Sequence, residues 1–178
     1  MLLITNGSHS TEIDPVKLYI TKERFNRNVK MLAKKIDASH FRFDSILAIT
    51  RGGFFVGDPL SRIFSTRVKE LCTINAKSYK GTEKGRLDVS AVATIYGLGK
   101  RVLLLDDLVE SGDTLETISR ILKEQYGVEE VLTAVLFRKT ETRFEPDLFV
   151  EEIKDGTWID FYYEEFDNVS IEDLNIYL

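Results

Sequence analysis

Apolar and polar positions follow two patterns along this chain: short unbroken apolar runs, and longer stretches in which apolar residues recur every three or four places. Residues 46–49 and 102–105 are wholly apolar, and 131–137 is interrupted only by Thr133. Runs without alternation suit strands buried on both faces of a parallel sheet. Residues 68–79 alternate instead, with Leu71, Thr73 and Asn75 on one side and Cys72 and Ile74 on the other, which predicts a further strand. Residues 87–96 also have strand-like composition. Helical spacing appears at Phe25, Val29, Leu32 and Ile36, with Thr21 as N-cap, and across residues 54–64. It returns at Leu115, Ile118 and Leu122, where Asp113 is placed to cap and Glu116 to complete a capping box. Strands alternating with helices in this way predict an α/β fold with a central parallel sheet flanked by helices and right-handed crossovers. Residues 1–20 predict only a loop around Asn6 and Pro15.

The 178 residues suit one domain with a proper core, and 43% hydrophobic with 30% charged residues excludes a disordered chain. A single cysteine, Cys72, excludes a disulfide framework or thiolate metal site within one chain and points to an intracellular, cytoplasmic setting. No apolar run approaches the ~18 residues of a membrane span. The net charge of -5 is unevenly distributed: residues 141–178 carry twelve acids and two bases, a net of -10, leaving +5 on the first 140. An anionic substrate would meet that front portion. Neither a Lys/Arg block nor an interleaved aromatic platform is present to argue for nucleic acid.

Candidate chemistry gathers where the apolar runs end. The run 102–105 meets Asp106 and Asp107, then Glu110, Ser111, Gly112, Asp113 and Thr114 opening a helix. A helix start with a glycine and two hydroxyls offers backbone N–H groups to a phosphate; a plain capped turn uses the same residues. Residues 46–49 lead through Thr50 to Arg51, Gly52 and Gly53, where glycines allow close backbone approach and the guanidinium can fork onto phosphate oxygens. A tight turn accounts for them equally. The run 131–137 ends in Arg138 and Lys139. Around the only tryptophan, Trp158, the aromatic segment 157–163 reads as core or as a stacking surface.

Taken together, residues 102–114 resemble the phosphoribosyl pyrophosphate signature of type I phosphoribosyltransferases. Arg51, Gly52 and Gly53 resemble the pyrophosphate loop of the 6-oxopurine branch, and Lys139 followed by Trp158-Ile159-Asp160 resembles the purine hood of its xanthine-guanine members. The resemblance implies a single domain of that fold, with a lid over residues 77–96 that begins at Ser78 and Tyr79 and a base-binding hood over 146–165. It implies that Asp106 and Asp107 hold the ribose hydroxyls and help organise Mg2+, that residues 111–114 bind the 5′-phosphate, and that Glu110 takes the N7 proton. Lys139 would then meet the purine 6-oxygen, with Trp158 stacking on the base and Ile159 meeting its edge. A cis peptide before Arg51 and a homodimer or homotetramer are further implications. Two departures stand out: Glu110 replaces the family's usual aspartate, and Tyr162-Tyr163 stands near its usual Pro-Trp. A regulator of the same fold that binds the donor without chemistry, or an enzyme for another base, are the alternatives.

Overall fold

The computed structural model describes residues 16–68, 70–75, 77–78, 87–88, 97–167 and 169–174. The chain divides into two compact units, Thr21–Asp155 and a smaller one joining the N-terminal strand to the residues from Gly156 onward. No helix among the described residues is long and apolar enough to cross a membrane.

The larger unit is built on five parallel strands: β2 (Ser45–Thr50), β3 (Glu70–Asn75), β6 (Arg101–Val109), β7 (Glu130–Lys139) and β8 (Leu148–Ile153), in the order β3-β2-β6-β7-β8. Two further short segments, β4 (Lys77–Ser78) and β5 (Leu87–Asp88), pair antiparallel. The helices are α1 (Lys22–Ala38), α2 (Gly52–Ile63) and α3 (Asp113–Tyr126). The unbroken apolar runs are the three central strands, and Leu47, Leu103, Leu104 and Leu105 are fully enclosed. Successive strand residues serve opposite faces. On one, Gly57 of α2 comes so close that a Cβ there would lie 3.0 Å from Ala48 Cβ and 3.1 Å from Leu71. On the other, Leu115, Ile118 and Leu122 of α3 pack with Leu47, Ile49, Leu104 and Val135.

Thr21 caps α1 as its sequence predicts, its side chain accepting from Arg24 N at 3.2 Å, and Phe25, Val29, Leu32 and Ile36 are buried. Against β8, Glu151 accepts hydrogen bonds from Asn28 Nδ2 at 2.7 Å and Arg24 Nε at 3.3 Å. These bonds, Arg24 first, hold the Glu151 carboxyl below the usual carboxylate range. Strand β8 was not expected: residues 148–153, counted with the hood in the sequence reading, form the fifth strand of the main sheet, and the smaller unit starts at Gly156. The capping of α3 also differs. Gly112, in the left-handed region at φ 88°, is the N-cap and makes no side-chain bond; Asp113 is the first helical residue and Glu116 closes no capping box.

In the smaller unit, β1 (Val16–Ile20) pairs parallel with β9 (Thr157–Phe161), with Lys17 opposite Trp158 and Tyr19 opposite Asp160. Ile20, Ile159 and Phe161 are buried, whereas Tyr19 and Trp158 are exposed. Two 3₁₀ turns follow, Tyr162–Phe166 and Ile171–Asp173.

Candidate active site

Parallel pairing brings the carboxyl ends of β2, β6 and β7 to one edge of the sheet, and the sequence motifs follow them there. Open α/β sheets bind ligands at this edge, where loops are free to vary while strands fix their roots. Register ties the motifs together: Ala48 pairs with Leu105, and Val109 pairs with Arg138. Arg51 thus enters α2 beside the Asp106-Asp107 pair, while Glu110 and Lys139 each lie one residue past a paired position.

Strand β6 runs to Val109, so Asp106 and Asp107 lie within it, beyond the last residue paired with β2. Asp106 Oδ1 accepts from Asp107 N at 3.0 Å, and Asp107 Oδ1 accepts from Leu108 N at 2.9 Å. Desolvation by burial, followed by the neighbouring Asp107 charge, pushes the Asp106 carboxyl well above its usual range, against the opposing pull of the Asp107 and Gly53 amides. Two acids held this close favour one shared proton or a cation between them.

The two glycines after Arg51 serve the packing of α2 against this pair. A Cβ on Gly52 would lie 2.1 Å from Asp107 Oδ2, and one on Gly53 would lie 2.6 Å from Leu105 O. A side chain at Gly53 would strike backbone and one at Gly52 would have to displace the Asp107 carboxylate, so the start of α2 comes directly against the pair. The Thr50-Arg51 peptide is cis, as the family resemblance implied. Thr50 Oγ1 donates to Ile74 O at 3.1 Å, anchoring the end of β2 to β3.

Beyond β6, Glu110 is exposed. The turn then reverses through Gly112 into α3, whose first-turn N–H groups lack helical carbonyl partners. Asp113 N donates to Ser111 Oγ at 3.3 Å, and Glu116 N closes the first helical bond on Gly112 O at 3.0 Å. Thr114 follows in the first turn. The chain between β7 and β8 lies against this turn, with Arg143 N and Phe144 N donating to Ser111 O at 3.0 and 3.4 Å. Nothing in the sequence patterning flags that segment; the only local cue is its proline and paired acids around residue 146.

Lys139, the last residue of β7, is buried at 5% exposure and pairs with Ile153. The edge therefore gathers Arg51, Gly52, Gly53, Asp106, Asp107, Glu110, the 111–114 turn and Lys139. Trp158 and Ile159 lie on β9 of the smaller unit. Trp158 is 60% exposed, and its Nε1 donates to Asp160 Oδ1 at 2.6 Å, so the indole is held by its edge while remaining largely exposed. Lys17 and Tyr19 share that face through the β1 pairing. Their alternation with Leu18 and Ile20 is the signal that could have found them. Of the lid residues, Ser78 is described only as part of β4, and Tyr79 lies outside the described residues.

Two adjacent carboxylates beside a helix start suit Mg2+, which binds hard oxygen donors and often takes one or two carboxylates with the rest from water and substrate phosphates. No cluster of three or more ligating side chains occurs among the described residues. The donor set fits a cation shared with substrate.

Comparison with known proteins agrees with this geometry. The phosphoribosyl transferase domain family matches residues 18–165. Xanthine-guanine phosphoribosyltransferase of Gluconobacter oxydans (strain 621H) is 29% identical over 147 residues, covering 82% of this chain and 83% of the relative. A crystal structure of purine phosphoribosyltransferase from Pyrococcus horikoshii Ot3 superposes with a TM-score of 0.70 at 31% identity, covering 86% of this chain and 98% of that one. Helicobacter pylori xanthine-guanine-hypoxanthine phosphoribosyltransferase gives a TM-score of 0.74 at 27% identity, covering 84% and 94%. The strand order, the glycines pressed against paired carboxylates and these matches lead to one conclusion: the chain belongs to the phosphoribosyl transferase domain family.

Proposed function

We propose that this protein is a Mg2+-dependent purine-salvage enzyme. It transfers the 5-phosphoribosyl group from phosphoribosyl pyrophosphate to N9 of a 6-oxopurine, acting in the cytoplasm as a homodimer or homotetramer. The observation that carries the reading is the convergence of Arg51, the Asp106-Asp107 pair, the α3 start and buried Lys139 on one sheet edge. The names of its relatives support the same reaction class.

In this reading the 111–114 turn holds the 5′-phosphate through backbone N–H groups and hydroxyls, each charge-assisted bond contributing ~1.5–3 kcal/mol. Asp106 and Asp107 hold the ribose hydroxyls and, through these and water, would hold Mg2+. When bound, that ion supplies positive charge to the departing pyrophosphate. Arg51 pairs with the same pyrophosphate oxygens. The Lys139 ammonium donates to the purine 6-oxygen, a contact that a 6-amino purine cannot accept. Trp158 offers its ring to the base, worth ~0.5–1.5 kcal/mol beyond buried area, and Ile159 meets the base edge through its main chain. As N9 bonds to C1, the C1–oxygen bond to pyrophosphate breaks and Glu110 takes the N7 proton. Ser78 and Tyr79 open the lid that keeps water from a cationic transition state.

Incubation with Mg2+, the donor and, separately, guanine, xanthine, hypoxanthine, adenine and uracil tests the proposal. The 6-oxopurines are expected to give nucleoside monophosphates and pyrophosphate, and adenine and uracil to give none. Absence of product from every base would overturn the enzymatic reading.

A further inference from the structure

We propose that Phe144 is a positioning residue for the 5′-phosphate of the donor, acting through the crossover between β7 and β8. The inference rests on the reading of residues 111–114 as the phosphate turn, and it assigns a role to a segment outside every motif.

The crossover, residues 140–147, replaces the helix that usually joins parallel strands. It is tied at both ends. Thr142 N donates to Lys139 O at 3.4 Å, and Asp147 Oδ2 accepts from both the N and Oγ1 of Thr133 at 2.7 Å. Arg138 pairs with Glu145. Its middle grips the phosphate turn: Arg143 N and Phe144 N both donate to Ser111 O, and the Arg143 guanidinium meets Asp113 at 3.3 Å. Phe144 packs so tightly on Gly112 that a Cβ there would lie 2.5 Å from Phe144 Cβ and 2.8 Å from Phe144 O. Phe144 also packs against the apolar core on the α3 side of the sheet.

The consequence follows from peptide planarity. The Ser111 carbonyl and the Gly112 N–H are opposite ends of one rigid trans unit. Two amides that hold the carbonyl on the crossover side therefore turn the Gly112 N–H to the other side. Gly112, at φ 88°, has no side chain to fix that orientation itself. The backbone and Cβ of Phe144 supply the restraint from outside, and the ring's packing against the core holds them there, keeping a donor aimed before the anion arrives; preorganised donors bind more tightly than donors that must be ordered on binding.

The test compares guanosine 5′-monophosphate with guanosine by calorimetric titration of wild type, Phe144→Ala and Phe144→Leu, with melting temperature followed in parallel. Wild type is expected to prefer the monophosphate. Phe144→Ala should lower that preference about tenfold while guanosine affinity stays within about twofold, since misplaced donors weaken only the contact they make. Phe144→Leu, which keeps part of the side chain's packing against the core, should lower it about threefold; it carries the test alone if Phe144→Ala does not fold. A preference matching wild type in the folded variants, or equal loss of both ligands, overturns the inference. A wild-type protein that prefers neither ligand removes the phosphate-turn reading, and the inference with it.

Discussion

At the scale of single residues, two carboxylates carry opposite obligations. Glu110 is exposed and, in the proposed reaction, needs only to reach the base. Glu110→Gln is expected to cut turnover by ~10²–10⁴, the usual contribution of a general base, with donor binding nearly intact; single-turnover rates beside donor titration check it. Asp106 is held in place at a cost to the fold. Its carboxyl is pushed up by burial and by Asp107, so the folded protein binds its proton more tightly than the unfolded chain does. Stability from that proton is fully present below the ordinary carboxylate value of ~3.9 and declines as pH rises toward the raised folded value. Asp106→Asn should therefore abolish turnover yet raise the melting temperature by about 2–4 °C per ~1 kcal/mol relieved. The gap from wild type should close as the pH falls to about 4. Melting curves of both proteins across pH 4–8 without Mg2+ read this directly, and an Asn variant less stable than wild type at neutral pH would contradict it.

At the scale of elements, Glu151 fastens α1 to β8. Its folded value is depressed, so the stabilisation is present above the ordinary Glu range of ~4.3 and is lost as pH falls through the lowered value. Glu151→Ala should cost about 2–3 kcal/mol at neutral pH, because Arg24 and Asn28 lose their shared acceptor. Denaturant titration at pH 7 and again at pH 3 checks both the size and the sign. The same residue explains why β8 escaped sequence reading. Its apolar start runs into Glu151 and Glu152, and the cations that pair with them lie on α1, far away in sequence, and at Arg138 of the neighbouring strand. Strands β2, β6 and β7 were legible because burial on both faces writes itself as an uninterrupted apolar run. Strand β1 was not, because its partner β9 lies some 140 residues downstream and its outer face carries Lys17 and Tyr19. The start of α3 was legible as a helix end but not in its cap. Asp113 has capping chemistry, yet Gly112 alone fits the left-handed turn against Phe144.

At the scale of the whole molecule, the residues proposed to bind the donor lie in one compact unit and Trp158, proposed to stack on the base, in the other. The motif-bearing residues could be named from sequence because each follows directly on a legible strand. The contact between Phe144 and Gly112, thirty-two residues apart, follows no such rule. The division makes Trp158 a selective reporter, since it is the only tryptophan and it is largely exposed. Binding of a 6-oxopurine monophosphate should quench and shift its fluorescence, while pyrophosphate with Mg2+ alone should leave it largely unchanged. Trp158→Ala should raise the base KM about tenfold from lost stacking and burial and leave donor affinity near wild type.

The contact of Gly52 and Gly53 with the paired carboxylates bears on how this chain can vary. Positions 52 and 107 are distant in sequence, yet a side chain at the first would have to displace the carboxylate at the second from its place. Randomising codon 52 alone should return glycine from a selection for growth on an external purine. Randomising 52 and 107 together should widen the set of residues tolerated at 52 in the folded protein. The two motifs thus act mechanically as one unit, and a side chain introduced at position 52 is expected to need a compensating change at 107.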